Sequence, residues 1–215
     1  MREPLEVEVW ADVVCPWCYI GKRRFEAALS EFAHRDDVRV TMRSFELDPT
    51  PRSAVQGDIA EMLAAKYGMS IDQAHDAVEG VRQTAAQVGI DMDNGQRFQG
   101  NTRDAHRLLH YAAEVGMQDR LSEALYRAHF TLGDSVFDHA TLADLAEAAG
   151  LDRTQAERVL SGMDYDDDVA ADEDLARSLG INGVPFFVFD RRLGVSGAQP
   201  VELMREALEQ AWAAR

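Results

Sequence analysis

The sequence predicts an α/β fold whose strands lie near the two ends of the chain and whose middle is a large all-helical insertion. Three observations lead there. Strand-like stretches at residues 6–14 and 38–47 bracket a segment of helical periodicity, giving strand, helix, strand. Residues 54–163 change to short amphipathic helices punctuated by glycine, and strand character returns only at residues 185–189 and 193–195. The order is an N-terminal βαβ unit, a block of helices, and a helix that leads into a C-terminal ββα unit. One domain, built from residues 1–53 and 164–215, is therefore expected to be interrupted by residues 54–163.

Each element has its own signal. In the first strand Val7, Val9, Ala11 and Val13 share one face. Tyr19, Ile20, Phe25, Ala28, Leu29 and Phe32 then recur at helical spacing, so a helix runs from Cys15 and Cys18 toward residue 33. In the insertion, Ser70-Ile71-Asp72-Gln73 forms a capping box at the head of a helix over residues 70–88. Asn101 is placed to cap a helix over 101–115, with Asp104 in its first turn and Gly116 past its end. Further helices fit 117–132, 141–149 and 152–160. Asp164-Tyr165-Asp166-Asp167-Asp168 reads as a loop leading into a helix over 169–179, where acids suit the N-terminus. The two late strands form a hairpin through Asp190-Arg191-Arg192, and a last helix runs toward Trp212 with Pro200 in its tolerated first turn.

Composition narrows the function. A chain of 215 residues can bury a sizeable core without covalent staples. Its two cysteines stand together in Cys15-Pro16-Trp17-Cys18, too close to tie distant segments, so a bond between them would be chemical rather than structural. The first residues carry no apolar run of signal-peptide length, and no later stretch is long enough to span a membrane. A cytosolic protein that does not engage membranes is expected. A formal net charge of −16, with no basic stripe to offset it, excludes nucleic acid as a partner.

The motif can supply what thiol chemistry needs: a stabilised thiolate, a second thiol to release a mixed disulfide, and access. Cys15 at the helix start faces unsatisfied N–H groups and the positive end of the helix dipole, and Pro16 sits where a missing N–H costs least. Cys15 is the expected nucleophile, and Cys18, one turn inward and more buried, the resolving thiol. A zinc site is the rival reading, since His106 and His110 share a helix face at i, i+4. But they lie far along the chain, and proline after the first cysteine suits a zinc knuckle poorly. No metal and no cofactor are expected. Trp17 is either a packing aromatic or, between the cysteines at the rim, a substrate contact. Pro185 can simply open a strand, and His106 can simply be structural.

Three stretches in order carry a resemblance. Asp12-Val13-Val14-Cys15-Pro16-Trp17-Cys18-Tyr19-Ile20-Gly21-Lys22, Asn101-Thr102-Arg103-Asp104-Ala105-His106-Arg107 and Ser196-Gly197-Ala198-Gln199-Pro200 resemble the DsbA-like branch of the thioredoxin superfamily, and within it the FrnE-type subgroup. The resemblance spans nearly the whole chain and implies a thioredoxin-like fold with an inserted helical block. It also implies a cis Val184-Pro185 bond facing the nucleophile, with the Val184 backbone pairing with substrate as a short β-addition; Val184 and Pro185 join Pro16 and Trp17 of the motif as the candidate substrate contacts. A buried carboxylate beneath the cysteines is common in the superfamily; Glu8 and Asp12 are the local candidates, each equally readable as an ordinary strand residue.

The expected activity is thiol–disulfide exchange with a protein, glutathione or small-molecule disulfide or thiol. Two other classes compete. Kappa-class transferases and hydroxychromene-carboxylate isomerases share the inserted-helix fold, but commonly carry serine at the catalytic position. A non-catalytic peptide-binding module would keep binding after both cysteines were replaced.

Overall fold

Burial on both faces decides where the first strand goes. The computed structural model describes residues 3–50, 54–93 and 96–215. Its elements run β1 (Leu5–Ala11), α1 (Pro16–Glu31), a 3-10 turn (Arg35–Asp37), β2 (Val38–Ser44), β3 (Val55–Asp58), α2 (Ile59–Tyr67) and α3 (Ile71–Ala86). There follow β4 (Gln96–Gln99), α4 (Arg103–Glu114), α5 (Gln118–Arg127), a π-helical turn (Ala128–Leu132), α6 (His139–Ala148) and α7 (Arg153–Ser161). The chain closes with α8 (Asp166–Ser178), β5 (Phe186–Phe189), β6 (Leu193–Ser196) and α9 (Val201–Ala213). Two compact units result: one from the chain up to Leu47 and from Val169 onward, the other from Asp48–Asp168. The predicted edge at residue 53 and the start at residues 1 and 2 lie outside the described residues.

In the first unit, Leu5 and Val7 enter a core with Phe25, Phe32, Phe187, Phe189, Met204 and Leu208, while Trp10 enters another with Ala176, Ile181 and Val188. A strand with apolar partners on both sides belongs inside a sheet. The sheet order is β2-β1-β5-β6, with β2 parallel to β1 and β5 antiparallel to both β1 and β6. Side chains of α1 and α9 cover the first face and those of α8 the second. The β5–β6 turn holds Asp190 and Arg191 at φ 45° and 54°, an unfavourable conformation without glycine. Contacts offset it: Asp190 exchanges hydrogen bonds with the Glu6 backbone at 2.8 and 2.9 Å, and Arg191 pairs with Glu8 at 2.9 Å.

The second unit is mainly helical. Leu108, Leu109, Leu121, Leu125, Leu142, Val159 and Leu160, from α4 to α7, are buried. The predicted capping box forms: Gln73 N–H donates to Ser70 Oγ at 3.2 Å and Ser70 N–H to Gln73 Oε1 at 3.0 Å. The expectation of an all-helical insertion is corrected in one respect, because β3 and β4 pair as a two-stranded antiparallel ribbon. Each strand has four residues, without apolar alternation, and its partner lies far along the sequence, so no local pattern announces it. Buried Arg97 donates to the carbonyls of Asp93 and His129 and lies over the Phe130 ring.

Smaller differences have local causes. The cap of α4 is Thr102, while Asn101 Oδ1 accepts from Arg103 N–H at 3.0 Å. Asp166, Asp167 and Asp168 form the first turn of α8 rather than a preceding loop, because carboxylates complement that helix end. Pro200 is the cap of α9, one residue before its first turn.

Candidate active site

Cys15 is the N-cap residue of α1, in an extended conformation, with Pro16 at the first helical position. Its carbonyl accepts from Cys18 N–H at 3.0 Å and Tyr19 N–H at 3.3 Å, which fixes the turn. The first turn holds no acid, so nothing there cancels the positive end of the helix dipole. The Cys15 thiol donates to Val184 O at 3.7 Å. That contact joins the head of α1 to the segment before β5, where the Val184-Pro185 bond is cis. Pro16 is half-buried, Trp17 is 42% exposed, Val184 is half-buried and Pro185 is buried.

Burial does not distinguish the two thiols, since Cys15 is 4% exposed and Cys18 2%. Electrostatics mark Cys18. Desolvation, then the hydrogen bond and charge of neighbouring Cys15, push its thiol well above the ordinary range; the nearby Asp12 charge pushes the same way, opposed by a backbone hydrogen bond at Asp12.

The two candidate carboxylates differ in what holds them. Glu8, on β1, is gripped by Arg43 at 2.6 Å and Arg191 at 2.9 Å. Burial alone would raise its carboxyl, but hydrogen bonds from Arg191 and Arg43 outweigh it and hold Glu8 below the usual range. Asp12 is fully buried just before the motif and accepts from Leu47 N–H at 2.8 Å and Val14 N–H at 3.5 Å. Asp12→Asn keeps an oxygen for the Leu47 N–H but removes the charge. In a Cys15→Ser background it is expected to move the alkylation profile of Cys18 toward lower pH; an unmoved profile would show that the Asp12 charge does not reach this thiol.

The second stretch of the resemblance, at residues 101–107, builds a clamp inside the helical unit. Arg103 pairs with Asp166 at 2.5 and 3.0 Å, and Arg107 donates to the carbonyls of Val159, Gly162 and Asp164 and to Asp104. His106 is fully buried on α4. Among the described residues no three His, Cys, Asp or Glu side chains gather as a metal ion would require.

Two neighbours of the motif were not singled out from sequence. Arg24, two turns along α1, donates to Ala198 O at 2.5 Å, and Gly21 lies against Pro185, Phe187 and Ala198. A glycine inside an amphipathic helix was the available signal for close approach of another backbone.

Comparison with known proteins places these features. A profile for the DSBA-like thioredoxin domain matches residues 6–209. The crystal structure of a probable DsbA oxidoreductase from Streptomyces coelicolor is 48% identical, with TM-score 0.94, over 98% of this chain and 91% of that one. The cytosolic disulfide reductase DsbM from Pseudomonas aeruginosa, solved with GSH, shares the fold at 20% identity, with TM-score 0.64, over 97% of this chain and all of that one. The uncharacterized protein YwbO of Bacillus subtilis is 26% identical over 164 residues, 76% of this chain and 75% of that protein.

Proposed function

Because this chain belongs to the DSBA-like thioredoxin domain family, we propose that it is a thiol–disulfide oxidoreductase working through Cys15 and Cys18. The observation that carries the reading is the Cys15 thiol at the head of α1, 3.7 Å from the Val184 carbonyl beside Pro185. In the reducing direction the Cys15 thiolate attacks one sulfur of a substrate disulfide, forming a mixed disulfide and expelling the other sulfur as a thiolate, which takes up a proton. Cys18 then loses its proton and attacks the Cys15 sulfur, releasing the second substrate thiol. Two electrons pass to the substrate, and the Cys15–Cys18 disulfide remains. Oxidation of a dithiol substrate runs the same steps backward.

The division of labour follows from the elements. The head of α1 holds the attacking Cys15 sulfur, while burial keeps Cys18 protonated until the mixed disulfide forms beside it. Val184 offers backbone to an extended substrate, Pro185 and Pro16 bound the cleft around the sulfur, and the exposed Trp17 ring lies on the substrate. The substrate is a disulfide or thiol of a protein, of glutathione or of a small molecule; the glutathione in the DsbM structure supports the second. Among the described residues no helix is long and apolar enough to cross a membrane, and cytosolic action is the setting proposed.

The test is a redox titration with reduced and oxidised glutathione, reading the Cys15–Cys18 bond by thiol labelling and mass. The wild type is expected to cycle between dithiol and disulfide and to catalyse reduction of insulin by glutathione. No intramolecular bond at any poise, or equal catalysis by Cys15→Ser, would overturn the reading.

A further inference from the structure

Gly21 is buried inside α1, less than one turn past Cys18, where glycine is the poorest helix former after proline. Its lack of a side chain has a geometric reason. A Cβ there would stand 2.9 Å from Pro185 Cγ, closer than real Cβ contacts come, and 3.5 Å from both Ala198 Cβ and Phe187 Cζ. The facing segment has little room to yield: Pro185 O accepts from Gly197 N–H at 2.8 Å, and Ala198 O accepts from Arg24 at 2.5 Å. Phe187 is packed in the core.

We infer that Gly21 is a positioning residue for thiol–disulfide exchange, whose missing side chain lets the Val184-Pro185 segment approach α1 closely enough to present its backbone beside Cys15. The inference rests on the exchange function proposed above. Any side chain at position 21 pushes on the Pro185 ring, and Val184, whose carbonyl meets the Cys15 thiol, is bonded directly to that ring. The displacement therefore falls on the substrate-seating segment, while the helix itself gains a better helix former.

The experiment is a double-mutant cycle with Gly21→Ala and Pro185→Ala, since the second substitution removes the Cγ atom that the new methyl would strike. Gly80→Ala, in α3 with no atom near its added Cβ, is the control for helix propensity. Exchange is measured as kcat/KM toward a cystine-containing peptide, with iodoacetamide labelling of Cys15 and thermal melts alongside. Gly21→Ala is expected to lower kcat/KM by about tenfold in the wild-type background and by about twofold or less in the Pro185→Ala background. Labelling of Cys15 should stay near the wild-type rate, and Gly80→Ala should behave as wild type. Equal losses in both backgrounds, or no loss in either, would overturn the inference. If Gly21→Ala alone does not fold, the double variant still decides, because it must fold and retain the activity of Pro185→Ala. A wild type inert toward the peptide would instead count against the exchange function itself.

Discussion

Cys18→Ser is expected to yield a protein that captures substrates and fails to release them. Attack of Cys18 on the Cys15 mixed disulfide is intramolecular, and positioned groups reach effective concentrations of about 10⁵ M, so an external thiol at about 1 mM is a poor replacement. Turnover should fall by at least about a thousandfold, while mixed disulfides with Cys15 accumulate on non-reducing gels. Cys15→Ser should lose turnover and adducts together. The buried Cys18 it retains, whose thiol is held protonated, should label only under alkaline conditions. The trapped partners can be identified by mass, which would settle whether protein or glutathione dominates. Absence of adducts with Cys18→Ser, or adducts of equal amount with Cys15→Ser, would remove the assigned roles of the two cysteines.

The outer architecture was legible because its signals are local. Strand alternation, the helical spacing of Tyr19 to Phe32, and the Ser70–Gln73 box each depend on residues within a turn or two of one another. The βαβ opening and ββα close stand as predicted, around an inserted helical region. What the sequence hid depends on distant partners. The β3–β4 ribbon is made by mainly polar residues about forty positions apart in the chain, and the four-residue pattern of each strand says nothing about the other. The cysteine pair stands at the head of α1 as expected from its place after the first strand, and the cis Val184-Pro185 bond was expected through resemblance alone. Gly21 follows the motif in sequence, but what it faces, the Pro185 ring, lies more than 160 positions away. Glu8 read either as a candidate acid or as an outward-facing strand residue, because its partners Arg43 and Arg191 lie 35 and 183 positions away. The signal for a buried ion pair was on α8, where Asp172 lies between Val169 and Ala176 on a buried face. An acid at such a position needs a cationic partner or a set of donors.

That ion network carries the other large expected effect, and it falls on stability. Arg43 Nη2 meets Glu8 at 2.6 Å and Arg43 Nη1 meets Asp172 at 2.9 Å, with side-chain exposures of 27%, 7% and 4% for Arg43, Glu8 and Asp172. Asp172 also accepts from Ser44 N–H at 2.9 Å, and its carbonyl accepts from the buried Trp10 indole. One guanidinium thus ties β1, β2 and α8 together. Arg43→Met keeps most of the apolar stem and removes the charge, so that Asp172 loses its cation and Glu8 one of two. Removing one partner of a buried pair costs about 3–5 kcal/mol, and the lower end applies because Arg191 still reaches Glu8. The urea midpoint should fall accordingly, with the slope unchanged. The effect has a sign in pH. Glu8 is held below its ordinary value of 4.5 in the fold, so the folded protein binds fewer protons here than the unfolded chain. Its contribution is present above the ordinary value and disappears as pH falls through the depressed one. In Arg43→Met, Glu8 keeps Arg191 alone, the depression shrinks, and the stability gap between wild type and variant should narrow as the solution is acidified below 4.5. Subtracting the two stability curves cancels the carboxylates that Arg43 does not touch, leaving Glu8 and Asp172. A gap below about 1 kcal/mol at neutral pH, the scale of an exposed pair, would show that water already screens the network. A gap that persists unchanged into acid would show that Arg43 acts through packing of its stem rather than through Glu8 and Asp172.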